Sequence, residues 1–140
     1  MSNIKYFLNP VVEDTTKDVI ISKRFKDENG NPVPFKIKII TQAENEKIKR
    51  KASTPIKRNG VIVGENFDQI KYGNLLLLES VVDPNFADAE LCKSCGTLDP
   101  LEVPGKLLYA AEYNKLVREI NAFNGFVEDE TITLEEEAKN

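Results

Sequence analysis

The sequence predicts an α+β fold, with an N-terminal antiparallel β-hairpin packed against a C-terminal bundle of three to five helices. Three observations lead there. Val19, Ile21 and Phe25, then Val33, Phe35, Ile37 and Ile39, alternate with polar residues on either side of Asn29-Gly30. Phe67 to Val82 is a dense apolar run at helical spacing. Tyr109, Tyr113, Leu116, Ile120 and Phe123 recur at steps of four, three, four and three, which gives one apolar stripe along a helix.

A chain of 140 residues with 41% apolar and 30% charged residues suits one soluble domain with a proper core. Residues 18–126 are expected to form it, residues 1–17 to form an arm, and residues 127–140 to form an acidic, flexible tail. Met1 to Asn9 lacks the long apolar run of a signal peptide, so a cytoplasmic location is expected. The net charge of −4 conceals an asymmetry. Residues 1–66 carry 13 Lys/Arg against 8 Asp/Glu, and residues 67–140 carry 6 against 15. The halves are complementary, which fits a tail folded onto a basic face, subunits aligned head to tail, two partners, or solvated faces with none.

Taken in order, the arm holds one sticky patch, Tyr6-Phe7-Leu8. The first hairpin has an apolar face and a lysine-rich face, with Pro34 at the start of its second strand or at an outward-facing edge position. Thr41-Gln42-Ala43-Glu44 reads as a capping box that opens a basic helix over 42–53, closed by Pro55. Around Asn59-Gly60 the short arms Ile56-Lys57-Arg58 and Val61-Ile62-Val63 favour a second hairpin over a loop. Asn66 is placed to cap the Phe67–Val82 helix. On a helical wheel, Phe67, Ile70, Leu77, Leu78, Val81 and Val82 share its core face, and Leu76 lies nearly opposite, beside Tyr72. Leu76 is then either covered by the short helices after Pro84 or left for a partner. A short helix is expected over Ala87–Lys93, another start at Asp99-Pro100, a break at Pro104-Gly105, and a last helix over Leu107–Phe123, stopped by Asn124-Gly125 and packed on the central one.

The chemistry of catalysis is sparse. The chain has no histidine, so the commonest general base and nitrogen metal ligand are missing, and the seven glycines form no phosphate-cradling pattern. Cys92-Lys93-Ser94-Cys95 falls at a helix C-terminus, where the dipole opposes a thiolate, and one CxxC is half of a tetrahedral zinc site. Packing cysteines are the expected reading, with no cofactor, no metal and no catalytic residue. Lys47, Lys49, Arg50, Lys51, Lys57 and Arg58 form a basic cluster, the feature on which an alternative reading as a small nucleic-acid-binding regulator rests. No aromatic residue interleaves these charges, and the whole chain is acidic.

Several segments together resemble a known family. These are Ile21-Ser22-Lys23-Arg24-Phe25-Lys26-Asp27 with Gly30-Asn31-Pro32-Val33, Phe35-Lys36-Ile37, and Thr41-Gln42-Ala43-Glu44-Asn45-Glu46. Further along come Ser80-Val81-Val82, Asp88-Ala89-Glu90-Leu91, the Pro104-Gly105 and Glu112-Tyr113 region, Ile120 to Phe126, and the ending Glu136 to Asn140. In this order they resemble the XkdN-like tail assembly chaperones of phages and prophages of Gram-positive bacteria. The sequence departs from that likeness at Cys92–Cys95 and at Asp99-Pro100. The resemblance implies a non-enzymatic role: binding the tape measure protein and keeping it soluble while the tail tube polymerises around it. It also implies a contact with the tail tube protein, self-association, no membrane, and no place in the mature virion. Residues expected to face a partner are Phe7, Leu8, Lys47, Arg50, Lys51, Tyr72 and Leu76. Related chaperones also have frameshift-extended forms. Ala138-Lys139-Asn140 can be encoded as GCA-AAA-AAC, which contains the slippery stretch A-AAA-AAC, so an extended form is expected to begin here.

Overall fold

The computed structural model describes residues 3–12 and 14–126; the acidic tail expected at 127–140 lies outside them. The order is α1 (Lys5–Leu8), β1 (Thr16–Val19), β2 (Phe35–Lys38), α2 (Gln42–Lys51), β3 (Ser53–Arg58), β4 (Val61–Phe67), α3 (Gln69–Ser80), β5 (Val81–Asp83) and α4 (Ala89–Ser94). A 3₁₀ turn (Pro100–Glu102), α5 (Val103–Leu107) and α6 (Ala110–Asn124) complete it. This is an α+β fold with two antiparallel sheets, β1-β2-β5 and β3-β4.

The first hairpin forms, with its strands shifted toward its open end. Thr16↔Lys38, Lys17↔Ile37, Asp18↔Lys36 and Val19↔Phe35 are the pairs, so β1 begins inside the stretch expected to be an arm. Between the strands only Lys26↔Pro32 bridges, around a turn in which Asp27 Oδ1 accepts from the N–H groups of Asn29 and Asn31. Val19, Ile21, Phe35 and Ile37 face the core as the alternation requires, while Val33 and Ile39 are exposed. Ile40 is buried in place of Ile39, because the strand ends at Lys38 and the backbone turns into α2.

The capping box of α2 is present: Thr41 Oγ1 accepts from Glu44 N at 3.2 Å, and Glu44 Oε1 accepts from Thr41 N at 3.0 Å. The helix stops at Lys51, before Pro55, which lies inside β3 opposite Glu65. The second hairpin is real and longer than expected. Arg58↔Val61 leaves a two-residue turn at Asn59-Gly60, where both φ angles are positive, as the hairpin turn that matches strand twist demands. Asp68 N donates to Ala52 O at 2.8 Å and so closes the base of this ribbon on the end of α2.

The central helix is shorter than Phe67–Val82 and buries a different face. Phe67 ends β4, Val81 and Val82 belong to β5, and Asp68 rather than Asn66 caps α3, its Oδ1 accepting from Lys71 N at 3.0 Å. Leu75, Leu76, Leu77 and Ser80 are its buried residues, and Ile70 is 78% exposed. The wheel failed because its two ends are strand, whose residues have no angular position on a helix. Without them the apolar weight shifts to three consecutive leucines, an arc of about 200°. That arc is covered because α3 packs against α2, the 3₁₀ turn, α5, α6 and β5.

α4 spans Ala89–Ser94, with the Asp88 carboxylate accepting from Glu90 N and Leu91 N. Asp99 caps the 3₁₀ turn, as its position before Pro100 suggested. Pro104-Gly105 does not break the chain. Pro104 occupies the first turn of α5, where its missing N–H has no helical acceptor to lose. α6 starts at Ala110, after Leu108 leaves helical geometry, and ends at Asn124-Gly125. The core stripe of α6 rests on Leu116 and Ile120, while Tyr109 is exposed outside the helix.

Candidate partner-binding surfaces

Polar contacts tie the first hairpin's connection and the entry of α2 to the two ends of α6. Arg24 reaches Glu112 with two hydrogen bonds, Nε to Oε2 at 3.0 Å and Nη2 to Oε1 at 2.6 Å. Arg24 also donates to Leu107 O and stacks on the Tyr109 ring at 3.8 Å. Glu112 accepts from Tyr109 N as well, and the Arg24 guanidinium foremost holds its carboxyl at about 2, from an ordinary 4.5. This clamp ties the long connection of the first hairpin to the start of α6. Asn124 Oδ1 accepts from Ile40 N at 2.8 Å and fixes the other end of α6 to the entry of α2. Cys92 is buried and its thiol donates to Phe86 O, whereas Cys95 caps the C-terminus of α4, where its N–H bonds back to the last turn. Among the described residues no group of three or more His, Cys, Asp or Glu could hold a metal ion.

The residues expected to face a partner separate into three groups. Phe7 and Leu8 are open to solvent on α1, beside Ile4, Tyr6, Val11 and Val12; Phe7 is 74% exposed. Lys47, Arg50 and Lys51 share the outer face of α2, where Arg50 pairs with Glu46 at 3.6 Å. Tyr72 and Leu76 belong with the core. Tyr72 is half-buried, with its hydroxyl donating to the buried Asn45 at 2.6 Å and its ring 5.6 Å from Phe67. Leu76 is 2% exposed, so the expectation of a surface leucine is corrected: five neighbouring elements leave α3 no free second face.

Two apolar surfaces escaped the sequence reading. The first is a groove of about 870 Å³ between the first turns of α3 and the outer side of α6, lined by Ile70, Gly73, Asn74, Tyr113, Val117 and Arg118 among others. A Cβ at Gly73 would lie 2.9 Å from the Tyr113 hydroxyl that donates to Asn74, so a larger residue there would push that side chain aside. The second is the β3–β4 ribbon, on which Ile56, Val61, Ile62 and Val63 are all exposed. The apolar run Val61-Ile62-Val63 was a visible signal. In a hairpin of two strands it has no further strand or helix to cover it.

The model of the Phage XkdN-like tail assembly chaperone family matches residues 4–139. The chain belongs to this family. Among curated proteins it is similar to the phage-like element PBSX protein XkdN of Bacillus subtilis (strain 168), at 32% identity over 99% of this chain and 94% of that protein. It is also similar to YqbN of the same strain, at 34% identity over 99% of this chain and 93% of YqbN. The crystal structure of YqbN superposes with a TM-score of 0.75 and 27% identity, covering 89% of this chain and 98% of that one. The fold of this tail assembly chaperone is therefore shared with a solved relative almost end to end.

Proposed function

We propose that this tail assembly chaperone acts without catalysis, in the cytoplasm of the bacterial host, by binding the tape measure protein and keeping it soluble while the tail tube forms. The observation that carries the reading is the family match along nearly the whole chain. The surface chemistry supports it. A long helical protein with apolar stripes needs apolar surface to cover them, and α1 with the α3–α6 groove offers it outside the core. Phe7, Leu8 and Ile70 are the contact residues of this reading, with Lys47, Arg50 and Lys51 steering acidic segments toward them. The tail tube protein is a second partner under the same reading.

Co-expression with the tape measure protein tests it. Phe7→Asp with Leu8→Asp, and separately Ile70→Glu, should lower the yield of soluble tape measure protein while the chaperone itself keeps its fold. Unchanged co-purification by both variants would overturn the surface assignment. The competing reading, a nucleic-acid regulator, rests on the exposed basic face of α2. It requires DNA or RNA retention that weakens with salt and is lost in Lys47→Glu with Lys51→Glu.

A further inference from the structure

We propose that the acidic C-terminal segment, residues 127–140, docks on the basic face of α2 in its own chain and holds that face against other acidic segments. α2 ends in Lys47, Lys49, Arg50 and Lys51, all exposed. Lys47, Arg50 and Lys51 stand at the i, i+3 and i+4 spacing of one helix face. Arg50 pairs with Glu46, whereas Lys47, Lys49 and Lys51 make no ion pair among the described residues. β3 packs on α2 and extends the same sign outward with Lys57 and Arg58.

Chain geometry brings the segment to this face. Asn124 Oδ1 accepts from Ile40 N, and Asn124 Nδ2 donates to Lys38 O, so α6 ends beside the residues that lead into α2. Phe126 N donates back to Asn121 O across Gly125, whose φ of 77° turns the chain off the helix axis there. Residues 127–140 follow, with Glu128, Asp129, Glu130, Glu135, Glu136 and Glu137 against a single cation, Lys139. Six carboxylates thus answer the six cations of α2 and β3. An extended chain covers about 3.3 Å per residue, so Glu135–Glu137 reach about 30 Å from Phe126. Lys47 to Lys51 lie only about 11–17 Å along α2 from Ile40.

α6 offers a rival surface, and it is weaker. Its exposed cations are Lys115 and Arg118, with Glu119 beside them. One exposed ion pair contributes little, but several carboxylates joined to the face by a short length of chain act at an effective concentration of about millimolar. With the segment in place the charge of α2 is neutralised, and an acidic stretch of the tape measure protein reaches Lys47, Arg50 and Lys51 only by displacing it. That consequence rests on the function proposed above; the contact itself does not.

Zero-length carbodiimide cross-linking of the full chain, dilute and with no tape measure protein present, tests the contact. An equal mixture of ordinary and isotope-labelled chain should give cross-links from Glu135–Glu137 to Lys47, Lys49 or Lys51 in which both peptides carry the same label. Their yield should fall severalfold on going to about 1 M salt, where the screening length shortens to about 3 Å. No cross-link to α2, cross-links spread evenly over α2, Lys71 and Lys115, or label-mixed pairs would each overturn the proposal. Retention on heparin gives a second readout. Glu135→Gln with Glu136→Gln and Glu137→Gln should raise the salt needed to elute the chain, and should add far less in a chain that already carries Lys47→Glu with Lys51→Glu. Lys47 and Lys51 are exposed, and circular dichroism should report an unchanged fold in that chain. A gain of equal size in both backgrounds would reduce the segment to net charge and overturn the docking.

Discussion

Leu75-Leu76-Leu77, the first three of a run of four leucines, and Val61-Ile62-Val63 are both stretches of consecutive aliphatic residues, and they meet opposite fates. The leucines are buried and the ribbon residues are exposed. Side-chain hydrophobicity does not separate them. What separates them is the circumference of cover: α3 has neighbours on most sides, whereas the ribbon touches the body at its base on α2. A run of this kind therefore reports stability in one place and a free surface in the other.

Breaking the covered run should give the largest effect. Leu76→Glu puts an unpaired carboxylate into the core and should abolish cooperative unfolding, while Leu76→Ala should cost about 2–5 kcal/mol in urea titrations. A mild result for Leu76→Glu would mean that α3 has a free second face after all.

The Arg24–Glu112 clamp sharpens the same contrast through pH, because its carboxylate is buried while its guanidinium stays exposed. Glu112 is depressed to about 2 from 4.5 in the folded chain. Its contribution is fully present above pH 4.5 and drains away as pH falls from there toward 2. Denaturation midpoints of the wild type should drop across that window more steeply than those of Glu112→Gln. Parallel curves would remove the clamp from the acid sensitivity of this protein.

Two smaller effects probe the edge and the centre of the covered region. Thr41→Ala removes the side-chain half of the α2 capping box and should cost about 1 kcal/mol. Ser80 is fully buried, and its Oγ is the buried side-chain polar atom without a hydrogen-bond partner among the described residues. Ser80→Ala should therefore stabilise the chain by about 1 kcal/mol, and a loss of stability would show that the hydroxyl is bonded. The smallest change is expected on the ribbon. Val61→Ser with Ile62→Ser should leave the unfolding free energy of dilute protein within about 0.5 kcal/mol of wild type.

Legibility followed the range of the interactions. The Thr41–Glu44 box, the Asn59-Gly60 turn, the Asp99-Pro100 start and the Asn124-Gly125 stop each depend on residues within a few positions, and each stands where local chemistry put it. The alternation of the first hairpin gave the right face at Val19, Ile21, Phe35 and Ile37 and the wrong one at Val33 and Ile39, which are exposed, and the connection between the strands is held by the Arg24 clamp and the Asp27 turn. The α3–α6 groove was not legible at all, since Ile70 and Val117 meet only through the packing of two helices.

The sequence by itself determined the Thr41 and Asp99 caps, the Asn59-Gly60 turn, the absence of histidine and the family likeness, because all of these are properties of neighbours along the chain. The tertiary structure decided which apolar residues are core and which are surface. Leu76 and Ile62 are equally hydrophobic, and only the elements that pack around them set which is removed from water.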